Sequence, residues 1–269
     1  MERGQGKGRL EGMVAVVTGA GSSGPGIGNG RATAVLFARE GAKVALVDNH
    51  LERAGETLDL IAKERGGTAD DVAFAVEADV TIDADCKRVV EETISRFGRL
   101  DILDNNVGIG MGNVSVVDVT EEMWDWVMTV NVKSMVLMSK HAIPAMRASG
   151  GGAIINISSL SALRPRGLTP YSTSKGAVIA LTKAMAVDHA KDNIRVNCIA
   201  PGPVYTPMVA RNMTPELREL RAKTAPLAFE GNAWDIAWAA VYFASQESRW
   251  VTGQVLTVDG GLSLVAPAR

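Results

Sequence analysis

Short apolar, β-branched runs alternate with longer stretches of helical period along almost the whole chain. "VAVVTG" (14–19), "KVALVD" (43–48), "VAFAVEADV" (72–80), "LDILDNN" (100–106), "GAIINISS" (152–159), "IRVNCIAPG" (194–202) and "QVLTVDGG" (254–261) read as strands. Between them, helical spacing of apolar residues predicts helices over Arg31–Arg39, Leu51–Arg65, Asp83–Phe97, Glu121 to about Met146, about Tyr171 to Ala190, and Trp234–Ser245. Strands apolar on both faces, each followed by a helix, indicate a parallel sheet covered on both sides. The predicted fold class is α/β, a Rossmann-type doubly wound parallel sheet of about seven strands with helices on both faces. Such sheets bind ligands beyond the carboxyl ends of their strands. The polar clusters sit at those ends: Gly19 onward, Asp48, Asp79, Asn105 with Asn106, Ser158 with Ser159, and Pro201 onward.

Composition narrows the possible partners. At 269 residues the chain fits a single domain with a sizeable core, and no linker or repeat divides it. The expected organisation is a loose tail over residues 1–9, polar and Gly-rich in "MERGQGKGRLEG", followed by one domain over 10–269. A net charge of −2 gives no basic surface for nucleic acid. Apolar stretches such as "MVLMSKHAIPAM" are interrupted by charge or Pro before the ~20 residues a membrane span needs. With no apolar signal-peptide core at the start, a soluble cytoplasmic protein is expected. Cys86 and Cys198 form no C-x-x-C pair, and His50, His141 and His189 lack ligand spacing, so no metal is expected.

The chemistry concentrates in "NISSLSALRPRGLTPYSTSKGAVIALTKAMA" (156–186). Tyr171 and Lys175 are four apart at a helix start, so their side chains share a face. A free phenol, with a pKa of about 10, is a poor base at neutral pH. A neighbouring ammonium lowers that pKa and makes Tyr171 a proton donor and acceptor. Ser159, at a strand end a dozen residues earlier, is placed to hydrogen-bond the same substrate oxygen. A Tyr-x-x-x-Lys pair alone is usually surface decoration; the strand-terminal serine and the Gly-rich turn near the N-terminus change that reading.

From about Leu10 to Leu264 the chain resembles the short-chain dehydrogenase/reductase family in its form of about 250 residues. Elements in family order carry the resemblance: "TGAG…GIGNG", Asp48, "ADV", "NNVG", "VNVKS", "NISS", "YSTSK", "IAPGPVYTP" and "TVDGG". Each is weak alone; together, in this order, they are specific. The resemblance implies hydride transfer in which Tyr171 is the acid/base and Ser159 polarises the substrate oxygen. Lys175 would lower the Tyr171 pKa and hold the nicotinamide ribose. Asn131 would hold a water linking Lys175 to solvent; the alternative is a buried helix Asn that caps local backbone. Counting back from Tyr171 points to Ser158, whereas "NISS" points to Ser159, which strand alternation favours because neighbouring side chains face opposite ways. The resemblance also implies that Asn106 and Gly108 pass the adenosine half of the cofactor, with Val107 where Ala is usual. Asp79 and Val80 would border the adenine, while Val204 and Thr206 would contact the carboxamide. The segment "VTGQVLTVDGGLSL" resembles one that packs between subunits, so a homo-oligomer, a tetramer, is expected.

The Gly-rich turn carries more glycines than it needs. A literal G-x-G-x-x-G falls on Gly19, Gly21 and Gly24, but Pro25, Gly26, Gly28 and Gly30 would then fill the helix start, at roughly 1 kcal/mol for each Gly. The family pattern T-G-x-x-x-G-x-G instead puts Gly19, Gly28 and Gly30 at the pyrophosphate, with about five extra residues between Gly19 and Gly28. A second alignment keeps "GIG" at Gly26, Ile27 and Gly28. Ile27 is therefore also a candidate cofactor residue, and Gly21, Gly24 and Gly26 belong to an enlarged loop. Asp48 ends the second strand, where a carboxylate hydrogen-bonds the ribose hydroxyls of NAD and repels the 2′-phosphate of NADP. The expected cofactor is NAD. The expected activity is oxidation or reduction of a secondary alcohol or ketone, with a small-molecule partner.

Two other readings remain at this point. One is a 3-oxoacyl-thioester reductase, if Arg211, Arg218, Arg221 and Lys223 of the lid segment "MVARNMTPELRELRAKTAPLAFEG" (208–231) meet a phosphopantetheine rather than solvent. The other is a catalytically silent cofactor-binding protein, which the retained Asn131, Ser159, Tyr171 and Lys175 argue against. An enoyl reductase is disfavoured because its relatives use a longer Tyr–Lys spacing.

Overall fold

The computed structural model describes residues 8–165, 167–210 and 213–265. The strands are β1 (Val14–Thr18), β2 (Lys43–Asp48), β3 (Ala73–Glu77), β4 (Ile102–Asn105), β5 (Gly152–Ile157), β6 (Ile194–Pro201) and β7 (Val255–Val258). All pair in parallel, in the order β3-β2-β1-β4-β5-β6-β7. Between and after them run α1 (Asn29–Arg39), α2 (Leu51–Arg65), α3 (Asp83–Phe97), α4 (Glu121–Met128), α5 (Ser134–Ala148), α6 (Thr169–Asp188), α7 (Pro207–Ala210), α8 (Pro215–Thr224) and α9 (Ala233–Ala244). The order reverses between β1 and β4, which opens a crevice over the carboxyl ends of the strands.

The two-residue period of a strand explains the two-sided core. Val17, Ile155 and Ile199 join Leu36 and Phe37 of α1, Ile61 of α2, and Ile236 and Phe243 of α9 on one face. Val16, Leu103, Ile154 and Val196 join Val89 of α3, Met138 and Met146 of α5, and Met185 of α6 on the other. Side chains such as Phe37, Leu36 and Met138, each fully buried, contribute roughly 2–3 kcal/mol apiece through burial. No helix among the described residues is long and apolar enough to cross a membrane.

Three local differences from the sequence reading have physical causes. Helix α1 begins at Asn29, two residues earlier than expected, because Gly28 sits extended before it as the N-cap. The predicted continuous helix from Glu121 to Met146 is interrupted by a π turn over Thr129–Lys133. Asn131 lies in that turn and spends its side chain on a neighbouring loop, while Ser134 Oγ donates to the Val130 carbonyl oxygen at 2.6 Å. Such turns are a known way of re-aiming a side chain at a functional site. The chain is anchored earlier than the expected end of the tail at residue 9: the Arg9 N–H donates to Glu40 at 2.9 Å, its guanidinium pairs with Glu247, and Leu10 is fully buried. The rest of the expected tail, residues 1–7, lies outside the described residues.

Candidate active site

The crevice is a cleft of about 1230 Å³ whose walls come from the loops after β1 through β7. Ser159 follows β5 and Tyr171 lies in the first turn of α6. One helical turn later Lys175 extends toward β5, where its ammonium donates to the Ile157 carbonyl oxygen at 2.9 Å. All three line the cleft, and Ser159 hydrogen-bonds the Tyr171 hydroxyl. Ser158 takes another course. Its hydroxyl is buried and donates to the Lys175 carbonyl oxygen at 2.7 Å, fastening α6 to β5. The pleat turns the two serines to different tasks.

Burial sets the titration of this trio. It pushes the Tyr171 phenol up from its ordinary value, partly countered by the Ser159 hydrogen bond. It pushes the Lys175 ammonium down to about 8. The expected lowering of the Tyr171 pKa by Lys175 is therefore not what the protein alone displays. The Lys175 nitrogen stands 5.9 Å from the Tyr171 ring centroid, and the loss of water around the phenol outweighs that charge.

Asn131 is fully buried and is not a cleft wall. Its amide oxygen accepts from the Ile109 N–H at 2.7 Å, and its amide nitrogen donates to the Ile109 carbonyl and to Ser174 Oγ, both at 2.9 Å. Those bonds clamp the loop after β4 against α6. The same loop needs its glycine for space: a Cβ on Gly108 would sit 2.9 Å from the Lys175 nitrogen.

The Gly-rich turn forms a cradle. Gly19 adopts φ +65°, open to few residues but glycine. A Cβ on Gly30 would lie 2.1 Å from the Gly19 carbonyl oxygen and 2.5 Å from the Asn106 amide nitrogen, so α1 packs on the loop as only a glycine allows. Gly28 caps α1 with no side-chain hydrogen bond, which leaves the helix N–H groups facing the cleft that Gly19, Gly28, Asn29 and Gly30 line. A phosphate fits such an N-terminus. Ile27 is the one predicted cofactor residue that is not a wall of the cleft; it packs against the core below α1 instead. The extra residues reach across the cleft, where Cβ atoms on Gly24 and Gly26 would meet Pro207 of α7 at 3.7 and 3.5 Å. Arg31, buried and unremarked in the sequence, holds this loop by donating to the Gly26 carbonyl at 3.2 Å and to Thr57 Oγ1 at 3.0 Å.

At the far end, the Asp48 carboxylate accepts from the Gly21 N–H and the His50 N–H, both at 3.1 Å, and borders the cleft. Asp79 and Val80 border it as well, although Asp79 also accepts from the Thr81 N–H at 2.9 Å. Asn106 lines it with its N–H given to Thr18 Oγ1 at 3.1 Å. Val204 and Thr206, nearly buried, line the opposite side. Arg53 is a wall residue at the Asp48 end that sequence reasoning missed, since it lies on α2, one turn past the strand end that drew attention.

The lid divides the predicted cations. Arg218 pairs with Glu230 at 2.7 Å and stacks on Tyr205 at 3.7 Å, away from the cleft, whereas Arg221 and Lys223 line it. Arg211 lies outside the described residues. Arg164, not singled out beforehand, lines the same end and donates to the Leu262 carbonyl.

Comparison with known proteins places this geometry in context. A family model described as Enoyl-(Acyl carrier protein) reductase matches residues 24–263. An uncharacterized oxidoreductase of Thermotoga maritima is 41% identical over 264 residues, covering 95% of this chain and 99% of that protein. A 3-oxoacyl-[acyl-carrier-protein] reductase of the same organism is 39% identical, covering 94% of this chain and 99% of its own length. A solved 7α-hydroxysteroid dehydrogenase, complexed with NADH and 7-oxo glycochenodeoxycholic acid, superposes with a TM-score of 0.85 at 36% identity, covering 94% and 95% of the two chains.

Proposed function

The chain belongs to the short-chain dehydrogenase/reductase family, an oxidoreductase of that type, and from this premise we propose that it interconverts a secondary alcohol and a ketone with NAD. The observation that carries the reading is the convergence of Ser159, Tyr171 and Lys175 on one wall of a cleft whose other end is a glycine cradle and a carboxylate. A bound nicotinamide supplies or accepts the hydride. The protein's part is positioning and proton transfer. Ser159 Oγ orients the carbonyl oxygen, and Tyr171 donates its phenolic proton to that oxygen as hydride arrives at carbon. Its burial favours the protonated phenol, the form that reduction requires. Lys175, held by Ile157, stabilises the tyrosinate left behind. Gly19, Gly28 and Gly30 with the N–H groups of α1 receive the pyrophosphate, and Val204 and Thr206 meet the carboxamide. Asn131 acts through the Ile109 loop, keeping Gly108 open for Lys175.

The four-residue Tyr171–Lys175 spacing favours carbonyl chemistry over the enoyl reduction in the matched model's description. We place NAD ahead of NADP because the Asp48 carboxylate, fixed by two backbone N–H groups, borders the adenosine end. Wild-type kcat/KM with NAD exceeds that with NADP by at least about tenfold, a ratio that Asp48→Ala lowers. Equal values with the two cofactors count against the assignment, and the nearby Arg53 is then the residue to examine. The subunits are expected to associate, as a tetramer.

Lys175 gives the reading a pH signature. Its folded pKa of about 8 means that the ammonium is intact at neutral pH and lost as pH rises through that value. Steady-state kcat/KM for ketone reduction therefore falls above about pH 8, while Tyr171 still holds its proton. A flat profile from pH 7 to pH 10 contradicts the role given to Lys175.

A further inference from the structure

The end of the cleft around Ser159 and Tyr171 takes apolar side chains from four separate elements. Trp126 of α4 and Val130 of the following π turn are four residues apart and both line it, so one face of that helical stretch turns to the cleft. Helix α4 packs against α6, which carries Tyr171. Leu160 follows Ser159, Met208 comes from α7, and Val265 from the segment after β7. Trp126 is 50% exposed and Met208 55%. The Trp126 indole has neither a hydrogen bond nor an aromatic neighbour among the described residues. Apolar area left open on a concave wall beside the reacting groups is area for a ligand to cover.

Most polar groups at this end are already engaged by the protein. Ser158 donates to the Lys175 carbonyl and Thr224 to the Arg221 carbonyl, both at 2.7 Å. Arg164 donates to the Leu262 carbonyl, Lys223 pairs with Glu219, and Arg221 has a partner of its own. Among the described residues no carboxylate, carboxamide or imidazole lines this end. A substrate with several hydroxyls would give up their water here without acceptors to replace it, a penalty paid again for each group. A substrate with one oxygen function needs only Ser159 and Tyr171.

We propose that the substrate is an apolar, ring-bearing secondary alcohol or ketone whose only polar group is the reacting oxygen, with its ring against the Trp126 indole and Met208 over it. The proposal rests on the alcohol–ketone reading above and narrows its substrate class. Stacked or edge-on contact with the indole orients a ring as well as removing it from water. Trp126 is then the residue that sets specificity, acting on the body of the substrate and not on the reacting carbon.

Two matched comparisons with NAD test this. Cyclohexanol against myo-inositol keeps the ring and varies the number of hydroxyls. 1-(2-Naphthyl)ethanol against 2-butanol keeps the methyl carbinol and varies the apolar area. The expected kcat/KM is higher for the first member of each pair by at least about tenfold, the size expected for moving a ring out of water. Trp126→Ala lowers the naphthyl-to-butyl ratio by at least about threefold, and Trp126→Phe, which keeps a ring, recovers part of it. A ratio of two substrates on one protein does not depend on how much of the variant is folded. Myo-inositol turned over as fast as cyclohexanol, or a naphthyl-to-butyl ratio near one, overturns the apolar site and leaves the alcohol–ketone reading standing. A ratio unchanged in Trp126→Ala also overturns it. Oxidation of none of the four alcohols overturns both.

Discussion

Tyr171→Phe lowers kcat/KM by about 10³-fold, in both directions and with every substrate the enzyme accepts. The change removes one oxygen and keeps the ring, so the packing of α6 and the position of Lys175 are preserved. What is lost is the hydroxyl that Ser159 hydrogen-bonds, one helical turn from the ammonium. Transfer of hydride to a carbonyl without a proton donor leaves an unneutralised alkoxide, and that cost falls on the transition state. NADH affinity, followed by the fluorescence of the nicotinamide, stays within about threefold of wild type. Turnover in the variant within tenfold of wild type contradicts the assignment of Tyr171 as acid/base. Ser159 has no such exclusivity, since its oxygen only orients the substrate.

Asp104→Val stabilises the protein by several kcal/mol at pH 8 and by much less at pH 5. Asp104 sits on β4 in register with Val17 of β1 and Ile155 of β5, both of which belong to the core beneath α1 and α9. It is fully buried, and neither carboxyl oxygen has a hydrogen-bond partner among the described residues. Burial pushes its pKa up to about 8. An unfolded Asp ionises near 4, so between roughly pH 4 and pH 8 the unfolded chain has released a proton that the folded chain retains. Stability consequently falls as pH rises through that window, by at most ~1.4 kcal/mol per pH unit from this one group, and levels off above it. Valine removes the polar group and fits a pleated, apolar position. Thermal melting of both proteins at pH 5 and pH 8 measures the widening gap. A variant less stable than wild type at both pH values shows that the carboxyl has an interior partner.

Asp104 also marks where sequence reading stops. In "LDILDNN" the hydrophobic pattern carries the strand through the aspartate, and nothing in the spacing says that this one polar side chain faces the core. The sheet itself was legible because strands apolar on both faces cannot sit elsewhere than in a covered parallel sheet. The strands and most helices follow from local periodicity plus that constraint, while the grouping of Ser159, Tyr171 and Lys175 was read from the four-residue Tyr–Lys spacing and the family resemblance. What depends on tertiary contact was not legible. The π turn around Asn131 exists because its amide reaches Ile109, 22 residues earlier, and Ser174, 43 residues later. Arg31 and Arg53 looked like ordinary helix arginines, yet one holds the enlarged loop and the other borders the cleft. Ile27 was placed among the cofactor residues by alignment of glycines, and its partly buried side chain packs against the core, a contact that only the folded chain reveals. The phenol pKa was read from its charged neighbour, whereas burial, which no spacing reveals, decides its direction.

The central claim is hydride transfer between a nicotinamide and a carbinol carbon within the Ser159–Tyr171–Lys175 cleft. Its most direct test is incubation of the protein with ketones and NADH deuterated at the nicotinamide C4 position, followed by mass and NMR analysis of the product. The account predicts deuterium on the carbon that bears the new hydroxyl, and none incorporated by the Tyr171→Phe protein on the same timescale. Deuterium delivered to a carbon–carbon double bond, or NADH bound without any label transferred, contradicts it.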